Sequence, residues 1–89
     1  MREDLLKIIK HYGEYKQLKY IHSEYFELDE AIMTNVYSEN YEKHIAEEIA
    51  DVMVMLRQLQ YYHNIEDSLI EKVMNEKIQR QLRRIEEEK

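Results

Sequence analysis

The chain has 89 residues, no cysteine, no proline, a single glycine and a formal net charge of −6. A sheet protein needs more turn residues than this, and without cysteine there is no disulfide, thiolate nucleophile or cysteine-type zinc site. The negative charge argues against a nucleic acid polymer as partner, because the summed field of the chain would repel a phosphate backbone.

The composition, rich in good helix formers, predicts one all-α domain spanning residues 1–89. A core of this size supplies little stability by itself, so homo-oligomerisation would help considerably. Residues 1–4 lack the basic start and apolar run of a signal peptide, and the longest apolar run, residues 52–56, is far too short to cross a bilayer. We therefore expect a cytoplasmic protein with no membrane partner.

Four helical segments are predicted in chain order. The first spans about residues 3–12 and breaks at Gly13, and the second spans about residues 14–33. Thr34–Asn35 and Ser38–Glu39–Asn40 are candidates for the next turn and helix cap. The second segment has apolar residues at the spacing of one helical face: Leu18, Ile21, Tyr25, Leu28 and Ile32.

The third segment spans about residues 41–63, and Asn64 suits the left-handed conformation that ends a helix. The fourth spans about residues 66–86, before a frayed end. The long second and third helices are joined by a short loop and should pack antiparallel, as in a helical bundle of about four helices. The third segment repeats the apolar spacing with Ile45, Ile49, Val52, Leu56 and Leu59. The fourth has Ile70, Val73, Met74, Ile78, Leu82 and Ile85.

Two pairs of acids three residues apart are the first candidates for a site: Glu24 with Glu27 and Glu48 with Asp51. This spacing places both carboxylates of a pair on one face of a helix. The spacing alone is weak evidence, since about four such pairs are expected by chance and a solvated acidic face is the common outcome. Two further pairs have it, Glu27/Glu30 and Glu39/Glu42.

Asp51 has the more informative context, because it is the only polar residue of residues 49–56. A helix that is apolar all round should be covered on nearly every side, by partner helices or by a second subunit. A carboxylate held there needs a cation, either a bound metal or a basic residue from elsewhere in the fold. If both acid pairs face each other, their all-oxygen ligands suit Mg²⁺, Mn²⁺ or Ca²⁺ rather than zinc or copper.

With these acids in place, the chain resembles the MazG family of nucleoside triphosphate pyrophosphohydrolases. Residues 23–28 and 47–52 resemble its signature EExxE…ExxD, and residues 75–80 look like the NEKxxR segment that follows. Ser23 stands where the family has its first Glu, which puts any role of that carboxylate in doubt. The resemblance covers roughly residues 8–85.

The resemblance implies an all-α enzyme, at least dimeric, that hydrolyses a nucleoside triphosphate to the monophosphate and pyrophosphate. Dimer and tetramer both remain open, as do the base and sugar specificity, and phosphoribosyl-ATP is a further candidate substrate. It also implies Mg²⁺ held by the four acids Glu24, Glu27, Glu48 and Asp51, and Mn²⁺ is possible in its place. Our own hypothesis is that Glu24 or Glu27 orients the attacking water. Phosphate contacts would come from Asn75, Lys77 and Arg80.

Two other interpretations stay open at this point. The chain could be a non-catalytic helical oligomerisation or regulatory module that keeps the fold without the activity. His44, four residues before Glu48, could touch that carboxylate, although such histidines are more often ordinary surface or packed residues.

Overall fold

The computed structural model describes residues 1–34 and 39–89 and contains four α-helices in those ranges, with no strand. They are α1 (Arg2–Tyr12), α2 (Glu14–Thr34), α3 (Tyr41–Tyr62) and α4 (Asp67–Glu88). The predicted all-α fold with four helices is confirmed, and α4 continues through most of the end that was expected to fray. Asn35 and Ser38, predicted in the turn before α3, lie outside the described residues.

Two backbone conformations separate helices. Gly13, between α1 and α2, has a φ of 91°, which residues with a side chain rarely adopt, and its N–H donates to the Ile9 carbonyl. Asn64, between α3 and α4, has a φ of 58°, and its N–H donates to the Tyr61 carbonyl. The left-handed conformation predicted for Asn64 is therefore confirmed.

Helices α2 and α3 pack antiparallel, as predicted. Gln17 on α2 donates from Nε2 to Oε1 of Gln58 on α3, a 2.8 Å hydrogen bond between two buried side chains. Ten residues further along α2, Glu27 lies close to Glu48, which comes ten residues before Gln58 on α3. Matching steps in opposite chain directions are what an antiparallel pair requires.

Helix α1 packs against both α2 and α3 and completes a three-helix unit. The apolar core of this unit is small, and its amides are held by hydrogen bonds such as that between Gln17 and Gln58. The buried apolar residues are Leu5, Ile9, Ala31, Met55 and Tyr61, and the buried polar residues are Gln17, Gln58 and Gln60.

Helix α4 leaves the three-helix unit rather than packing on it. Within the described residues it packs along none of the other helices, and none of its own residues is buried. The radius of gyration is accordingly 16.1 Å, whereas a compact chain of this length has about 12 Å. Helix α4 has the same apolar spacing as the packed helices, but its apolar residues are exposed along one side.

Within a single chain, residues 49–56 are not covered on nearly every side, so coverage by a second subunit stays a prediction. Ile49, Met53 and Leu56 are each between 43% and 51% exposed, and Asp51 is exposed as well. The reason is that α1 and α2 cover one side of α3 while α4 turns away from the other. In the described ranges, no helix has an apolar stretch long enough to cross a membrane.

Candidate metal centre

Three carboxylates meet where α2 and α3 face each other. Glu24 and Glu27 lie one turn apart on α2, and Glu48 lies opposite them on α3. One oxygen from each of the three lies within 4.8 Å of the others. The helical spacing within α2 and the antiparallel pairing with α3 thus place residues from two distant stretches of chain at one point. We call these three residues the acid cluster.

Two oxygens of the acid cluster are buried without a hydrogen-bond partner. They are Oε2 of Glu24 and Oε2 of Glu48, both on half-buried side chains. A buried acceptor that loses water and gains no partner costs about 1–3 kcal/mol, and more when it is charged. A cation bound between the helices would supply the partner that these two oxygens lack.

The surroundings of Glu24 disfavour the ionised form of its carboxyl group. Burial, followed by the charges of Glu27 and Asp51, raises the pKa of Glu24 above its usual range, and a hydrogen bond to Glu27 and the charge of Glu48 add to the effect. The causes act in the same direction because each opposes a negative charge on Glu24. A divalent ion would reverse this balance by attracting all three carboxylates.

No basic side chain neutralises these acids in the described parts of the chain. Arg57, which follows Asp51 on α3, instead forms an ion pair with Asp67 at 3.1 Å. Arg2 pairs with Glu66, far from the cluster along α3. The sequence left two sources for the cation, a bound metal or a basic residue of the fold. No such basic residue is seen among the described residues.

Asp51 differs from the other three predicted ligands. Its side chain is exposed in the single chain, so the buried oxygens belong to Glu24 and Glu48 and not to Asp51 as the sequence suggested. Its charge still acts on Glu24, which places it at the edge of the same site. Its assignment as a metal ligand stays a prediction.

A small polar cavity of about 270 Å³ adjoins the acid cluster on the side of the α2–α3 loop. His44 and Glu30 line it together with Glu27 and Glu48. The sequence predicts neither residue as a metal ligand, although it allows a contact between His44 and Glu48. The signal for them was present, since Glu30 follows Glu27 by three residues and His44 precedes Glu48 by four.

The predicted phosphate-binding residues do not reach the acid cluster of their own chain. Asn75, Lys77 and Arg80 are exposed on α4, which does not pack on α2 or α3. Lys77 and Arg80 border a shallow surface depression formed by α4 residues only. Their role toward phosphate stays a prediction, because these residues do not contact the acid cluster within the chain.

The ligand set of the acid cluster fits a hard divalent cation. Carboxylate oxygens are preferred by Mg²⁺, Mn²⁺ and Ca²⁺, whereas zinc and copper sites ordinarily include nitrogen or sulfur. Within the described residues no histidine joins the cluster, although His44 lies in the adjoining cavity. The two buried oxygens without partners supply ligand atoms that need no displacement of an existing hydrogen bond.

Comparison with known proteins adds no relative to this picture. No family model, no curated protein and no solved structure matches the chain. The resemblance to the MazG family therefore rests on the motif residues of the sequence alone.

Proposed function

We propose that this protein is a Mg²⁺-dependent nucleoside triphosphate pyrophosphohydrolase of the MazG type. It would hydrolyse a ribo- or deoxyribonucleoside triphosphate to the monophosphate and pyrophosphate. The observation that supports the proposal most is the pair of buried carboxylate oxygens without partners, contributed by Glu24 and Glu48. A nucleotide substrate also agrees with the cytoplasmic location expected from the sequence.

The residues of the proposed site would hold the metal ion, position the attacking water and neutralise the charge of the phosphates. Glu24, Glu27, Glu48 and Asp51 would hold the ion, and Glu24 or Glu27 would orient a water toward the α-phosphorus. Mg²⁺, or Mn²⁺ in its place, supplies a counter-charge for the phosphate oxygens when bound. Pyrophosphate is the leaving group, so cations near the β- and γ-phosphates would assist its departure.

Asn75, Lys77 and Arg80 are the residues proposed to bind those phosphates. Lys77 and Arg80 are three residues apart on one side of α4, and both are exposed. Their charged groups can donate several hydrogen bonds to one phosphate chain.

A second candidate is a non-catalytic helical oligomerisation or regulatory module. The half-exposed apolar residues of α4 favour it, because they indicate a surface for another protein chain whether or not the acids bind a metal. Ser23 in place of the first family Glu is a further reason to keep it. The two candidates differ in whether the acid cluster turns over a nucleotide.

The deciding experiment is an assay of the purified protein with Mg²⁺ or Mn²⁺ and a panel of canonical, modified and phosphoribosylated nucleotides, measuring pyrophosphate release. We expect turnover of at least one nucleotide and a loss of about 100-fold or more on Glu48→Gln or Asp51→Ala, because each removes a ligand. Circular dichroism should show both variants folded, since neither residue belongs to the apolar core.

Matched controls come from acids outside the cluster. Asp29→Asn on α2 and Glu42→Gln on α3 remove one exposed charge each and should leave turnover near that of the wild type. Absence of turnover for every nucleotide, with the wild-type protein folded, would reject the enzyme and support the module. Equal losses in the control variants would show that overall charge, rather than ligation, is responsible.

A further inference from the structure

The first three turns of α2 carry a surface depression that combines tyrosines with lysines. Its volume is about 500 Å³, which lies within the range of small-molecule sites, about 300–1,000 Å³. It does not include any residue of the acid cluster. We call it the tyrosine–lysine depression. The residues that line it are Tyr15, Lys16, Lys19, Tyr20 and Ser23.

The tyrosine rings of the depression are exposed, and the lysines are held beside such rings. Tyr15 is 74% exposed and Tyr20 is 46% exposed, so both offer aromatic surface to a ligand. The Lys19 ammonium lies 4.8 Å from the centroid of the Tyr15 ring, and that of Lys16 lies 5.3 Å from the centroid of the Tyr12 ring. These cation–π contacts restrict the two lysines, and each ammonium keeps N–H donors for a ligand.

The depression is also a positive region of an acidic chain. Residues 10–20 contain three lysines and one acid, whereas the whole chain has a net charge of −6. That acid, Glu14, is engaged elsewhere, since its Oε1 lies 2.7 Å from Nε2 of His63. Among the described residues, no ion pair joins Lys16 or Lys19 to a carboxylate. Their donors therefore remain available to a ligand that offers acceptors.

The depression adjoins the acid cluster along one side of α2. At 100° per residue, Lys19, Ser23 and Glu27 follow one another along the helix with only about 40° of rotation at each step. Ser23 directly precedes Glu24, so the depression ends where the acid cluster begins. With a rise of about 1.5 Å per residue, Lys19 lies about 8 Å from Glu24 and about 12 Å from Glu27 along the axis. The ribose and base of a nucleotide can span such a distance.

The polar cavity on the opposite side of the acid cluster is less suited to a base. Its volume is about 270 Å³, and its lining includes three glutamates and no tyrosine. Ionised carboxylates only accept hydrogen bonds, so they offer nothing to the carbonyl oxygens of a base. The depression has the complementary features, aromatic rings for stacking and ammonium groups for donation. A nucleotide with its phosphates at the acid cluster would therefore place its base in the depression.

We propose that the tyrosine–lysine depression binds the base of the nucleotide and selects bases that carry an oxo group. Tyr20 stacks on the base, and Lys16 and Lys19 donate hydrogen bonds to its edge. A lysine ammonium only donates, so it pairs with a carbonyl oxygen and is mismatched with an amino group, which also donates. The favoured bases are those with an oxo group at C6 of a purine or C4 of a pyrimidine. The inference rests on the proposed function, which supplies the position of the phosphates.

Two matched pairs of substrates test the selection of the base. Inosine triphosphate carries an oxo group at C6 where ATP carries an amino group, and UTP differs from CTP in the same way at C4. The values of kcat and KM are measured for all four nucleotides with Mg²⁺ and the wild-type protein. We expect kcat/KM to be about 10-fold higher for the oxo member of each pair, because hydrogen bonds to a base edge discriminate by about this factor.

Variants of the depression should separate hydrogen bonding from stacking. The double variant Lys16→Met, Lys19→Met should lose most of the preference within each pair, whereas Tyr20→Leu should raise KM about 5-fold or more for both members and keep their ratio. Lys7→Met on α1 removes an exposed charge outside the depression and serves as control. Tyr25→Leu is the matched aromatic control, because Tyr25 is 66% exposed and lies about 140° from Tyr20 around α2.

The outcomes distinguish this inference from the proposed activity. Turnover with no preference within either pair, or a preference that the double lysine variant retains, would overturn the inference and keep the enzyme. Absence of turnover for every nucleotide would reject the enzyme, and calorimetric titration with inosine triphosphate and ATP in the presence of Mg²⁺ then decides. Tighter binding of inosine triphosphate that the double lysine variant loses would keep the depression as a base site, whereas equal or absent binding would overturn it.

Discussion

The three-helix unit of α1, α2 and α3 and the arm formed by α4 have similar apolar patterns, but the pattern is partly buried in the unit and exposed in the arm. In the unit, Ile9 is fully buried, and Glu24 and Glu48 of the acid cluster are half-buried between two helices. In the arm, Ile78 and Leu82 remain about half exposed. Helical periodicity therefore predicts an apolar face that should be buried, but it does not say whether the same chain buries it.

The two regions also differ in their charged residues. The acids that could hold an ion come from α2 and α3, whose mutual packing buries two carboxylate oxygens. The cations suited to phosphate lie on α4, where no side chain is buried. A functional site that needs both must therefore join the two regions, and variants that act on one region alone will show how strongly they depend on each other.

The largest expected effect comes from truncating an isoleucine in each region. Ile9→Ala should lower the free energy of unfolding by about 2–4 kcal/mol, because it leaves a cavity in a fully buried position. Ile78→Ala should cost less in an isolated chain, and its cost should appear mainly as weaker association. Urea unfolding of both variants at several protein concentrations measures the difference.

The two variants should differ in how their stability depends on protein concentration. We expect the loss in Ile9→Ala to stay the same over the concentration range, and the unfolding midpoint of Ile78→Ala to fall on dilution more steeply than that of the wild type. An Ile78→Ala protein with the stability and dilution behaviour of the wild type would mean that the apolar side of α4 packs on no other chain in solution.

A smaller effect is expected within the acid cluster. Without divalent metal at neutral pH, Glu24→Gln should raise the free energy of unfolding, by no more than about 1 kcal/mol because the partly exposed site is screened by solvent. Removing this charge relieves burial and the repulsion from Glu27 and Asp51. The same variant should lose the stabilisation that added Mg²⁺ gives to the wild type.

The pH dependence of this variant has a definite sign. The raised pKa of Glu24 means that the folded state holds its proton to higher pH than the unfolded state. Stability in the metal-free wild type should therefore fall as pH rises from the usual carboxyl pKa through the raised one, and Glu24→Gln should show less of this fall. Thermal unfolding across that range, with Asp29→Asn as control, measures it.

The smallest expected effect concerns the corner from which the arm extends. Hydrogen bonds from Gln60 and then Tyr61 lower the pKa of Asp67, assisted by the charge of Arg57. Stability gained from Asp67 is present above its unfolded pKa and is lost as pH falls through the lowered folded value. Asp67→Asn should therefore weaken the acid dependence of unfolding, while Glu71→Gln, an exposed acid one turn further along α4, should not.

Urea unfolding from neutral to strongly acidic pH tests this prediction. An Asp67→Asn protein whose acid dependence equals that of the wild type would show that the hydrogen bonds at the corner contribute nothing measurable. Amide hydrogen exchange in α4 gives a second measurement, because loss of the Asp67 contacts should increase opening of the first turn of the arm.

Much of the local structure follows from the sequence. The scarcity of glycine and proline and the periodic apolar residues predicted four helices with ends within two residues of those observed. Gly13 and Asn64 marked two of the helix breaks, and both adopt a positive φ. The spacing of Glu24 and Glu27 predicted two carboxylates on one face of α2, and the antiparallel packing of α3 on α2 brings Glu48 to them.

Only the tertiary structure decided which of these acids is buried and where α4 goes. An apolar neighbourhood in sequence suggested burial of Asp51, but solvent exposure depends on which side of α3 another helix covers, and α4 turns away. At its first residue, Asp67, α4 accepts hydrogen bonds from Arg57, Gln60 and Tyr61 of α3. Such side-chain geometry has no periodic signature, so the sequence determined the helices and their faces, and long-range packing determined which faces meet.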